Sequence, residues 1–137
     1  MLSFTAMGRN DGPASYQQSF QPVPESAGAA RGFARGALTE LGLGELGDRV
    51  CILIGEMSVN AILHARTSYS ILITRPAEGT VRVEVHDGNS VRPRQKTALT
   101  VDPLTYGRGL VLIEATSDRW GVDETEQGKA IWAEIDA

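Results

Sequence analysis

Three clusters of residues have types and spacings suited to chemistry. The first is the run GEMSVNAILHA, residues 55–65. At about 100° per residue, a helix there sets Glu56, Asn60 and His64 on one narrow stripe. That stripe borders an apolar face made of Leu46, Val50, Leu53, Ile54, Met57 and Ala61, so its polar groups fall at the rim of a core. A carboxylate one turn from a carboxamide suits holding a hydrated divalent cation while the acid activates a hydroxyl. The same pair also suits a solvated helix edge with an i,i+4 hydrogen bond. The second cluster is Asp87-Gly88-Asn89 at the end of a strand. Asp87 there can accept a hydrogen bond from a buried ligand amine, or close an Asx-turn. The third is Gly107-Arg108-Gly109-Leu110, opening a helix. Glycines at a helix N-terminus let backbone N–H groups approach phosphate oxygens, and Arg108 adds a charge-assisted contact. A plain loop-to-helix turn uses the same residues. No GxxxxGK[ST] phosphate loop is present, and Gly107-Arg108-Gly109 lacks both the GxGxxG spacing and the preceding strand of a dinucleotide fingerprint.

The elements that must position these clusters follow from periodicity. Residues 1–15 are polar and unpatterned and read as a flexible tail. Residues 16–20 read as a short edge strand, closed by Pro22 and Pro24, with Ser26 as the N-cap of a first helix. Ala30, Phe33, Ala34, Ala37, Leu38 and Leu41 recur at helical spacing, and Gly42 and Gly44 end the run. A second helix spans about 46–65, and strands follow at about 69–75 and 80–86. Residues 87–106 have no sustained period and read as a functional loop or lid. A third helix at about 107–117 and strands at about 119–124 and 129–135 complete the chain. The order β-α-α-β-β-loop-α-β-β predicts an α+β fold: a two-layer α/β sandwich with helices on one face of a mixed, mainly antiparallel sheet.

At 137 residues the chain fits one domain, over 16–137, with a self-sufficient core. The net charge of -4 argues against a direct nucleic-acid binder, which normally shows a basic stripe. A single cysteine, Cys51, excludes an internal disulfide and reads as a core-edge residue. No apolar run approaches the roughly 20 residues that span a bilayer, and residues 1–7 lack the basic start of a signal peptide. The expectation is a soluble cytoplasmic domain. Trp120 and Trp132 read as cross-strand packing, His86 as the last residue of its strand, and Arg94 and Lys96 as solvated loop charges or phosphate contacts.

Taken in order, the helical E-x-x-x-N, the strand-terminal Asp-Gly, the lid-like loop and the GxGL helix start follow the layout of the GHKL ATP-binding fold. The segments ELGDRVCILIGEMSVNAILHA, VRVEVHDG and GRGLVLIEATSDRWGVDETEQGKAIWAEID resemble the bacterial anti-sigma-factor serine/threonine kinases and their stand-alone ATP-binding relatives. With the PESAGAARGFAR helix, the resemblance covers about residues 20–136. It implies ATP and Mg²⁺ as cofactors. By the same resemblance Glu56 is the general base, Asn60 the Mg²⁺ ligand and Asp87 the acceptor of the adenine amine, with Gly88 beside it. Gly107 and Gly109 cradle phosphates beside Arg108 and Leu110, and residues 92–106 form the ATP lid. The implied partners are a sigma factor and a STAS-type anti-anti-sigma protein, with a homodimer formed through the first strand and helix. A non-catalytic binding module of the same fold is the alternative. Two departures stand out: the first glycine box reads DGNSV, with its glycine one place early, and Ala130 lacks the hydroxyl that commonly contacts nucleotide after the final glycine.

Overall fold

The computed structural model describes residues 6–7, 14–89 and 107–137. Strands β1 (Ala6–Met7), β2 (Ser15–Phe20), β3 (Tyr69–Ala77), β4 (Thr80–Asp87), β5 (Arg119–Glu124) and β6 (Lys129–Asp136) form one sheet, in the order β1-β2-β3-β4-β6-β5. Every pairing is antiparallel, so the expected mixed sheet keeps only its antiparallel part. Strand β1 pairs Ala6 with Tyr16 inside the stretch read as a tail. Helices α1 (Ser26–Leu41), α2 (Gly47–Val59) and α3 (Gly107–Thr116) pack on one face.

Helix α1 buries Ala30, Phe33, Ala34, Ala37, Leu38 and Leu41, the stripe anticipated from spacing. It ends in a Schellman motif. Gly42 is left-handed at φ 76°, its N–H donates to Thr39 O, and the Leu43 N–H donates to Leu38 O. Ser26 is not the cap expected. It lies inside the helix, and its hydroxyl is held 2.6 Å from the Tyr69 hydroxyl.

Alternation places Tyr69, Ile71 and Ile73 of β3 on the helix-covered side, with Val81, Val83 and Val85 of β4 and Ile131, Ala133 and Ile135 of β6. Together with Leu53, Ile54 and Met57 of α2 and Leu110 and Ile113 of α3, they make one core. Pro76, which has no ladder donor, sits where the β3–β4 register shifts between Thr74 and Ala77.

The opposite face is charged. Arg82 bridges Glu84 (2.8 Å) and Glu134 (2.9 Å), Glu134 accepts from Arg119 (2.8 Å), and Arg119 reaches Asp136 (2.6 Å). The contacts of Glu84 with His86 and Arg82, and of Glu134 with Arg119 and Arg82, hold both carboxyls below the usual range. The Arg82 guanidinium lies 4.3 Å from the Trp132 ring centroid. Across the strand pair, Gly121 leaves room for that ring, because a Cβ there would come within 2.8 Å of it. Gly121→Val is therefore expected to cost about 1–2 kcal/mol through displacement of Trp132 from its stack. Urea unfolding followed by tryptophan fluorescence measures this.

Candidate functional site

Helix α2 carries the first cluster to the rim of the core. Glu56 is half-buried, while Asn60 is only 3% exposed, so the solvated helix edge does not apply to Asn60. The Asn60 Nδ2 donates to the Glu56 backbone carbonyl at 3.2 Å, which orients the carboxamide because a carbonyl can only accept. Its Oδ1 is buried and has no hydrogen-bond partner among the described residues. From Asn60 to Ala65 the helix widens to π geometry, with Arg66 N–H donating to Ala61 O at 2.8 Å and Arg66 left-handed at φ 60°. Such widened turns recur at functional sites. His64 is half-buried in this last turn.

The second cluster closes the end of β4. Asp87 keeps the parity of Val85 and so projects to the helix-covered side, with its side chain 1% exposed. The Asn89 N–H donates to Asp87 Oδ1 at 2.9 Å, so the Asx-turn is present. The Gly88 N–H donates to the Thr67 hydroxyl at 2.9 Å.

Two residues that the sequence reading did not place in the site lie against Asp87. Lys129, directly opposite Asp87 in the β4–β6 pairing, sends its ammonium to Asp87 Oδ2 (2.9 Å), Asp87 Oδ1 (3.1 Å) and Asn89 O (3.1 Å). Its side chain is 3% exposed. A buried pair of this kind contributes little net stability, but removing one partner typically costs about 3–5 kcal/mol. Gly128 lies against the box from below. A Cβ there would strike the Asp87 carbonyl oxygen and come within 2.7 Å of Asn89 N and Gly88 C. The available signal for Lys129 was its parity with Ile131, Ala133 and Ile135, a lysine in phase with a buried row.

The same pairing corrects the concern over Ala130. Ala130 pairs with His86 and Asp123, so it belongs to the sheet face away from Asp87, and a hydroxyl there would not reach that carboxylate's side. Lys129 holds the place beside Asp87. A cleft of about 500 Å³ lined by Ser19, Ser70, His86, Asp87, Gly88 and Gln127 opens at this end of the sheet. Neither Glu56 nor Asn60 lines it, and Ser70 and His86 belong to the helix-free face.

The third cluster is placed at the start of α3, whose backbone is helical from Gly107 through Arg108 and Gly109. Leu110 is a core residue, 1% exposed. Ser90, the lid residues 92–106 and the charges Arg94 and Lys96 lie outside the described residues. Among the described residues, no group of three or more His, Cys, Asp or Glu side chains gathers to hold a metal. Asn60 Oδ1 could offer a divalent cation a neutral carboxamide oxygen. Burial pushes the Cys51 thiol up, which suits a packed residue and not a nucleophile.

The model of the histidine kinase-like ATPase domain matches residues 20–135. The chain belongs to this family. No curated protein matches it. The matched span of this GHKL-type ATP-binding domain takes in every described helix and strand from α1 to β5. Glu56, Asn60, Asp87, Gly107 and Gly109 all lie inside it. Among the described residues, no helix of this ATPase domain is long and apolar enough to cross a membrane.

Proposed function

We propose that this protein is a cytoplasmic anti-sigma factor with ATP-dependent serine/threonine kinase activity. Its acceptor is a serine of a STAS-type anti-anti-sigma protein. Its other partner is a sigma factor, released when the unphosphorylated antagonist binds instead. The observation that carries the nucleotide site is Asn60 Oδ1, a buried and orphaned acceptor one helical turn after Glu56. An unsatisfied buried carboxamide oxygen costs free energy unless a ligand claims it, and a hard cation with mostly oxygen ligands is suited to do so.

Asn60 Oδ1 would hold Mg²⁺, which would supply positive charge to the phosphates. The chain's own residues supply the rest. Asp87 accepts a hydrogen bond from the base amine. The N-terminal backbone N–H groups of α3, at Gly107 and Gly109, meet phosphate oxygens along the favourable end of the helix dipole, with Arg108 beside them. Glu56 takes the proton of the acceptor serine hydroxyl as its oxygen attacks the γ-phosphorus and ADP leaves. A homodimer through β2 and α1 belongs to the same reading.

A non-catalytic module that binds its protein partner, with nucleotide as ligand at most, is favoured by one observation: the Asp87 carboxylate is already engaged by Lys129 and Asn89. Phosphotransfer separates the two. Glu56→Gln is expected to lower transfer of labelled γ-phosphate to a STAS acceptor by about 10²–10⁴-fold with ATP affinity kept. Absence of transfer by the wild type, together with intact sigma-factor binding, would favour the module.

A further inference from the structure

The ion pair that closes the base-binding end has a consequence for which nucleotide enters. Lys129 and Asp87 face each other across β4 and β6, and both side chains are almost fully buried. An ammonium has three hydrogens and no acceptor. Here it meets Asp87 Oδ2, Asp87 Oδ1 and Asn89 O, so its hydrogens are committed. Asp87 Oδ1 accepts from both Lys129 and the Asn89 N–H and is filled. Oδ2 receives Lys129, and each carboxylate oxygen has two lone-pair directions, so Oδ2 keeps one for a further donor.

We infer that Lys129 is a specificity-determining positioning residue: by fixing the Asp87 carboxylate and, together with the Asn89 N–H, filling Oδ1, it leaves a single acceptor direction on Oδ2 that takes a 6-amino purine and turns away a 6-oxo purine. A free ammonium would attract the oxygen of a 6-oxo base, but this one has no hydrogen left to offer. The lone pairs of such an oxygen would instead face Oδ2, which carries negative charge. The inference rests on the proposed reading that Asp87 meets the base.

The test is the ratio of dissociation constants for ITP and ATP, measured by calorimetry with Mg²⁺ on the full chain. The wild type is expected to prefer ATP by about 10–100-fold, the range for one hydrogen bond to a charged acceptor. Lys129→Met is expected to bring the ratio below about threefold, because the carboxylate is no longer held in one orientation. Should Lys129→Met fail to fold, Lys129→Gln is measured instead, since its amide keeps a donor for the Asn89 carbonyl without the charge. Ile131→Ala, on the same face of β6, is expected to weaken the fold and leave the ratio unchanged, which separates positioning from general packing. Asp87→Asn tells the two possible failures apart. If it leaves the ratio unaltered, Asp87 does not read the base and the site reading fails with the inference. If it collapses the ratio while Lys129→Met preserves it, Lys129 is structural only and the inference alone is overturned.

Discussion

Gly128→Ala is expected to abolish measurable nucleotide binding and to lower stability by about 3 kcal/mol, the upper end for forcing extra volume into a packed site. The added methyl has nowhere to go. Its obstacles are backbone atoms of residues 87–89, including Asn89 N and Gly88 C within 2.7 Å, and not the movable end of a side chain. Relief requires the start of β6 to separate from the end of β4. That separation parts Lys129 from Asp87 and breaks the Asx-turn that Asn89 closes. A thermal melt should fall by about 10 °C for a domain of this size, and ATP titration should show no saturation. Native stability with wild-type ATP affinity would contradict the close approach of Gly128 to the backbone of residues 87–89.

Asn60→Ala is expected to remove the Mg²⁺ dependence of ATP binding, with affinity in Mg²⁺ falling by about 10–100-fold. The buried Oδ1 has no protein partner among the described residues, so its loss removes a ligand without breaking an internal oxygen contact. Only the Nδ2 contact with the Glu56 carbonyl is sacrificed, and α2 keeps its apolar stripe. The variant should therefore melt close to the wild type. Titrating ATP with and without Mg²⁺ on both proteins checks this. Equal Mg²⁺ dependence in the two would place the cation elsewhere.

Much of the fold was legible because burial writes itself into spacing. Helices α1 and α2 showed their stripes from Ala30 to Leu41 and from Val50 to Met57, and β4 showed strict alternation of Val81, Val83 and Val85. Strand β1 was not legible, because the two residues of Ala6–Met7 are too few to display a period. Nor was the widened turn after Val59, where i→i−5 bonding leaves no mark on residue type. Ser26 shows a different limit: a hydroxyl near a helix start has several partners to choose from, and here Tyr69, 43 residues away, claims it.

The candidate residues Glu56, Asn60 and Asp87 stood out in the sequence by type and spacing, whereas the residues packed around them did not. Lys129 reads as surface charge until its parity with Ile131 is set against the pairing with Asp87. Ala130 seemed to stand in the site because one-residue offsets are invisible without register, and in a strand one residue changes the face.

The most direct test of the central claim is calorimetric titration of the wild-type chain with ATP, with and without Mg²⁺. Binding near the micromolar level, about -8 kcal/mol, that requires Mg²⁺ is the result this account predicts. No saturable binding under either condition would contradict it and leave a histidine kinase-like ATPase fold that works without its nucleotide.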